Sequence, residues 1–321
     1  MASGSTGVVV AAMFANGAIA VLKFLGFLLT GSPSMLAETY HSISDTGNQV
    51  LLLVGIKYSQ QEANRAHPFG YGRAQFFYAF LVSVLLFGIA GWESLKHGYE
   101  ELRHGGHETE AGAAEFLGYT IDIPLPVDPF WVSVAILLGA IVFEVYAFVK
   151  ARAELKRQMD QYGWSGYRET FERTSDITTL TAFTEDTVAL IGLVVALVGI
   201  FATRITENPV YDAAGAVVIG ILLMVFAILL AIENKRLILG ESLEKTAEND
   251  LREIIASGDG ILGIDDLQTT FVGPQKVLVV GDVRFETDLS PADVDLAIED
   301  VENTLREADD RVAFVYIEPA D

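Results

Sequence analysis

The chain has 321 residues, 51% of them hydrophobic, with a mean hydropathy of +0.37 and a formal net charge of −22. Such a composition divides into a membrane part and a very acidic soluble part, and the acidic excess opposes nucleic-acid binding, which needs a basic face. There is no cysteine, which excludes a disulfide framework and a thiolate metal site.

Runs of about 17–25 apolar residues predict six membrane helices, near residues 8–30, 34–58, 75–98, 129–150, 178–204 and 209–233. The opening MASGSTG has no basic region, so the first run reads as a retained helix and not a signal peptide. In it Asn16 and Lys23 share a face, and Lys23 is long enough to snorkel outward. The second run carries His41, Asp45 and Asn48 at i, i+4 and i+7, one face of a helix. An imidazole and a carboxylate one turn apart make half of a tetrahedral divalent-metal site. The fourth run contains Glu144, expected in an interfacial or interhelical pair. The fifth contains adjacent acids, Glu185 and Asp186. The sixth opens near Asp212, read as a cap. Gly192, Ala196 and Gly199, with Ala216 and Gly220, give the last two helices small faces suited to close packing.

Beyond Leu239 the pattern changes. Residues 241–321 hold 21 Asp and Glu against six Lys and Arg, a net of −15. Helix-like ENDLREIIAS, strand-like DDLQTTFVG and VLVVGDVRFE, a helix opened by Ser-Pro-x-Asp and a closing RVAFVYIEP read as a ferredoxin-like α+β unit. The fold class is therefore a polytopic α-helical membrane protein with six transmembrane helices (residues 1–236) and a C-terminal cytoplasmic α+β domain (residues 237–321). The acidic surface reads as adaptation to salt in a halophilic prokaryote, with cation collection as the alternative.

Orientation follows from Lys and Arg. Lys57, Arg65 and Arg73, six residues between Lys150 and Arg173, and Lys235 and Arg236 all fall on one side, against Lys96, Arg103 and Arg204 on the other. Both termini are expected in the cytoplasm and the chain in the cell membrane. His41 then lies roughly 12 Å below the outer surface and Asp186 roughly 15 Å above the inner one, both near the middle of a core about 30 Å thick. Four ionisable groups at one depth, each costing roughly 2.5–3.5 kcal/mol to insert, point to a cation path.

The stretches AETYHSISDTGNQVLLLVGI, HPFGYGRAQFF, EDTVALIG, ENPVYDAAGAVVIG and LILGESL resemble the cation diffusion facilitator family over nearly the whole chain. The pairing of HSxSD with ED resembles the branch containing the mitochondrial zinc transporter of animals. The resemblance implies a homodimer that exchanges a divalent metal for protons. His41 and Asp45 would be ligands from the second helix and Asp186 from the fifth. The family's fourth ligand, four residues before Asp186, is replaced by Ala182, and Glu185, Asn48 or water is left to fill its place. An accessory site after the second helix is expected to be absent or weak, since His67 matches one of its histidines but Tyr71 stands for the second. The resemblance gives the tail a dimerising role and a basic–acidic contact, read as Arg73 with Glu241. His104 and His107 read as part of a polar loop.

The expected function is export of a divalent cation, zinc first and manganese, iron or cobalt as alternatives, in exchange for protons. No Walker-type sequence signals ATP use, and no cofactor is expected beyond the transported cation. The chain is expected to be a transporter, not an enzyme, with a metalloenzyme or a membrane scaffold as rivals; the absence of HExxH counts against the former.

Overall fold

The computed structural model describes residues 2–104, 113–116, 119–122, 127–167, 169–170 and 177–320. His107, Arg168, Arg173, Asp176 and the side chain of His104 lie outside that description. The chain forms two compact units. One comprises Met1–Val54, Tyr78–Glu172 and Ile177–Ile232; the other comprises Gly55–Phe77, Arg173–Asp176 and Glu233–Asp321.

Long helices build the first unit. They are α1 (Ala2–Thr30), α2 (Pro33–Ser59), α3 (Ala74–Leu85), α4 (Trp92–His104), α5 (Pro129–Tyr162), α6 (Ile177–Thr206) and α7 (Val210–Leu239). A π-helical turn at Leu86–Gly91 joins α3 to α4 without a break, and a small hairpin, β1 (Ala113–Phe116) with β2 (Tyr119–Asp122), precedes α5. Gly31 ends α1 in the left-handed conformation (φ 66°), which spares a side-chain residue the clash there. Asp128 caps α5 by accepting from the Phe130 N–H, with Pro129 at the first helical position.

Segments 74–103, 129–161, 182–206 and 210–239 are long and apolar enough to cross a membrane. The sequence predicted six such spans. Helix α2 has the length but not the apolarity, because Glu38 to Gln49 is a mostly polar stretch. The apolar part of α1 that the structure describes runs only over Asn16–Thr30.

The core gathers Phe27, Leu36, Leu86, Leu193, Ile219 and Leu223 from α1, α2, the π turn, α6 and α7. Helices α4 and α7 approach at backbone distance. A Cβ on Gly220 would lie 2.6 Å from the Leu95 nitrogen, and one on Gly98 would lie 2.8 Å from the Val217 nitrogen. The small faces expected on the last two helices are thus shared among several neighbours. Gly220 admits α4, Gly192 admits Glu38 of α2 and a Cβ there would reach Ile219 of α7 at 3.9 Å, and Gly199 meets α7 at the Tyr211 carbonyl. Asp212 is not the cap of α7: Asn208 Oδ1 accepts the Val210 N–H, while Asp212 is buried and its carbonyl accepts from Ser34 Oγ at 2.8 Å.

In the second unit, α8 (Lys245–Ala256), β3 (Ile261–Gly273), β4 (Lys276–Phe285), α9 (Pro291–Ala308) and β5 (Val312–Ala320) follow the predicted order. The sheet runs β3–β4–β5, antiparallel then parallel, so it is a three-stranded mixed sheet, one strand short of the full ferredoxin-like sheet. Ser290 and Asp293 form a reciprocal capping box that starts α9. Alternation along β4 buries Val277, Val279 and Val283 on one face, and Leu251, Ile255 and Leu305 of the helices are buried with them. The loop after α2 belongs to this unit. Phe69 meets Phe314 edge-on at 5.5 Å, and Gly72 touches the backbone of Gly273.

Arg73 does not pair with Glu241. Its guanidinium donates to the Phe271 carbonyl at 3.2 Å and to Thr270 Oγ1 at 3.3 Å, while Glu241 takes Arg236, five residues back at the end of α7. The backbone of Glu241 is nevertheless part of the cluster, since its carbonyl accepts from the Phe271 N–H at 2.9 Å. Local chain geometry supplied a nearer cation for the carboxylate.

Candidate functional site

Helices α2 and α6 run antiparallel along one seam. Asn48 meets Glu185, Glu38 meets Gly192 and Ser34 meets Gly199, so α2 numbers fall as α6 numbers rise. His41 and Asp45 lie between the first two of these contacts. Their one-turn spacing brings His41 Nδ1 to 3.4 Å from Asp45 Oδ1, and both side chains are almost wholly buried. Asn48 Nδ2 donates to Glu185 Oε1 at 3.0 Å. The Glu185 carboxyl also lies against that of Asp45.

The four residues form a chain from His41 through Asp45 and Glu185 to Asn48. They do not converge on one point, and among the described residues no group of three or more His, Asp or Glu is gathered closely enough to hold a metal ion. Asp186, turned about 100° from Glu185 by helix geometry, is half-buried. It feels the charges of Glu185 and Glu144, but no described residue hydrogen-bonds to it. Ala182 brings no ligand. Both ring nitrogens of His41 and Oδ1 of Asp45 are buried without a hydrogen-bond partner. Orphaned polar atoms of this kind cost roughly 1–3 kcal/mol each in proteins.

The structure adds three residues that the sequence reading left aside or misplaced. Lys23 does not snorkel; it is fully buried and bonded to Glu38 Oε2 at 2.8 Å and Ser42 Oγ at 2.9 Å. Glu38 was legible in principle, since it lies three and seven residues before His41 and Asp45 on the same helical face. Glu144 of α5 is buried, and it interacts electrostatically with Lys23 of α1, Glu38 of α2 and Glu185 of α6, an interhelical relationship without a hydrogen bond to a described residue. In the second unit, His67 packs on the Tyr71 ring at 4.1 Å, and the Tyr71 hydroxyl accepts from Asn64.

Residues 9–239 match the cation efflux transmembrane domain. The chain belongs to the cation efflux family. It is similar to the mouse and human proteins named "Proton-coupled zinc antiporter SLC30A9, mitochondrial", at 30% identity over 279 residues, 87% of this chain and 46% of theirs. It is also similar to "Metal tolerance protein C4" of Arabidopsis thaliana, at 25% identity over 88% of this chain and 56% of that one. The chain thus spans about half the length of these curated relatives. The nickel form of the MamM C-terminal domain aligns with 24% of this chain and 96% of its own, at 14% identity and a TM-score of 0.23. Membership of the cation efflux family points to a transporter rather than an enzyme.

Proposed function

We propose that this family member exports a divalent cation, zinc before manganese, iron or cobalt, in exchange for protons. The observation that carries it is the His41–Asp45 pair, with three buried polar atoms left unpartnered inside a helical bundle. Such atoms are tolerated where a cargo satisfies them.

His41, Asp45 and Asp186 ligate the cation, and Glu185 or Asn48 supplies the remaining contact. The imidazole and the carboxylates must be deprotonated to bind metal and reload protons once it leaves, so competition for one site becomes exchange when access alternates. Binding pulls Glu185 and Asp186 towards the His41–Asp45 pair, which draws α6 against α2. The chain does this as a homodimer with six spanning helices, both termini in the cytoplasm of the cell and the second unit as dimer scaffold. Similarity to relatives named as a zinc antiporter supports the reading.

The test is zinc uptake into proteoliposomes driven by an imposed pH gradient. Uptake by the parental protein is expected, and Asp45→Ala and Asp186→Ala should each abolish it while the purified protein keeps its oligomeric state. Normal uptake by Asp186→Ala would overturn the site assignment.

A further inference from the structure

The buried Lys23 ammonium on α1 has two bonds, both to α2, at Glu38 and Ser42. The other oxygen of Glu38, Oε1, is buried without a hydrogen-bond partner. It presses on α6, where a Cβ on Gly192 would come within 2.5 Å of it. One carboxylate therefore ties three helices together. Removing both charges from water costs several kcal/mol per ion, and apolar residues of similar volume often stabilise as well or better. Stability alone does not account for the pair.

Its position does. Glu38 lies seven residues from Asp45 along α2, and Gly192 seven from Glu185 along α6, each about 10 Å along the helix axis. Both displacements lead towards the α1–α2 and α6–α7 turns. Four residues further on, Ser34 closes the seam again. Its hydroxyl bonds the Asp212 carbonyl and lies 2.6 Å from where a Gly215 Cβ would be. A cation moving from His41 and Asp45 towards that end along the seam meets Glu38 first.

We propose that Lys23, Glu38 and Gly192 form a latch closing this end of the path, with Lys23 a tethered cation that holds Glu38 until a divalent ion displaces it. The inference rests on the exchanger reading above. The ion arriving from His41 meets a carboxylate with one oxygen free, takes it, and frees the ammonium to remain on Ser42. Helix α1 then loses its bond to Glu38, and α2 and α6 can part. Lys23 is a positioning residue, since it acts through Glu38 and through its field at His41, Asp45 and Glu144.

The chain contains no cysteine, so one introduced thiol reports alone. Ala189, buried on α6 between Glu185 and Gly192, lies behind the latch. In full-length Ala189→Cys protein in liposomes, a membrane-impermeant methanethiosulfonate applied from the α1–α2 turn side should react slowly. Adding Lys23→Met should speed the reaction at least tenfold, and the charge swap Lys23→Glu with Glu38→Lys should slow it again. Lys23→Met should also let zinc run down its own gradient with no pH difference, a leak that a brace without gating would not produce. If Lys23→Met does not fold, Glu38→Gln must give the same acceleration. Unchanged labelling in a folded variant overturns the latch. Labelling needs no metal, so absence of zinc transport by the parental protein would overturn the exchanger reading separately.

Discussion

Asn48 Nδ2 donates to Glu185 Oε1 at 3.0 Å across the seam between α2 and α6, and that bond, together with the Asp45 carboxyl, orients Glu185. Hydrogen bonds to charged groups contribute about 1.5–3 kcal/mol, and each 1.4 kcal/mol is tenfold in affinity. Asn48→Ala is therefore expected to change zinc affinity at least tenfold, measured by titration calorimetry on the purified protein. Weaker binding would make Asn48 a support of the ligand set, and tighter binding would mean that it holds Glu185 away from the cation. An unchanged affinity would mean that the Asn48 bond takes no part in metal binding.

His41 supplies the only nitrogen donor among the proposed ligands, since Asn48 would bind a cation through its amide oxygen. An oxygen donor suits manganese better than zinc. His41→Asp should keep transport and shift the zinc-to-manganese uptake ratio towards manganese, read by competition in the same liposomes.

Gly220 faces the backbone of Leu95, which cannot yield as a flexible side chain can. Gly220→Ala should cost about 1–3 kcal/mol through overpacking. Gly139 on α5 has open space where its Cβ would be, so Gly139→Ala should be neutral or mildly stabilising. Thermal melts of the two variants in detergent give the comparison, and equal melting temperatures would deny the close α4–α7 approach.

Arg73 holds the end of β3 through Phe271 and Thr270. Arg73→Glu should raise amide exchange over residues 269–272, and adding Glu241→Arg should not rescue it, because Glu241 serves Arg236. Mutual rescue would restore the pairing that the sequence suggested.

Asp309 gives the second unit an acid-sensitive joint. Partial burial pushes its carboxyl up, but the Arg311 guanidinium and backbone N–H outweigh that and hold it below the usual carboxylate range. A carboxyl lowered by folding contributes stability that is present above its unfolded value, about 3.9, and is lost as pH falls through the folded value. Asp309→Asn should remove that loss, so exchange protection of β5 in the variant should depend less on pH below about 4.

Much of the architecture was legible because it rests on local periodicity. Apolar runs located the long helices to within a few residues at most ends described, and alternation in VLVVGDVRFE marked β4. The spacing of His41, Asp45 and Asn48 set one face of α2 before any fold was known. Side-chain partnership across helices was not legible. Nothing in the order of residues says that Lys23 turns inward to Glu38, that Glu144 joins the buried acids or that Gly220 admits α4 instead of α6. A buried charge takes whichever partner the packed backbones bring within about 3 Å, and in this chain that distance is decided by how α1, α2 and α6 close on one another.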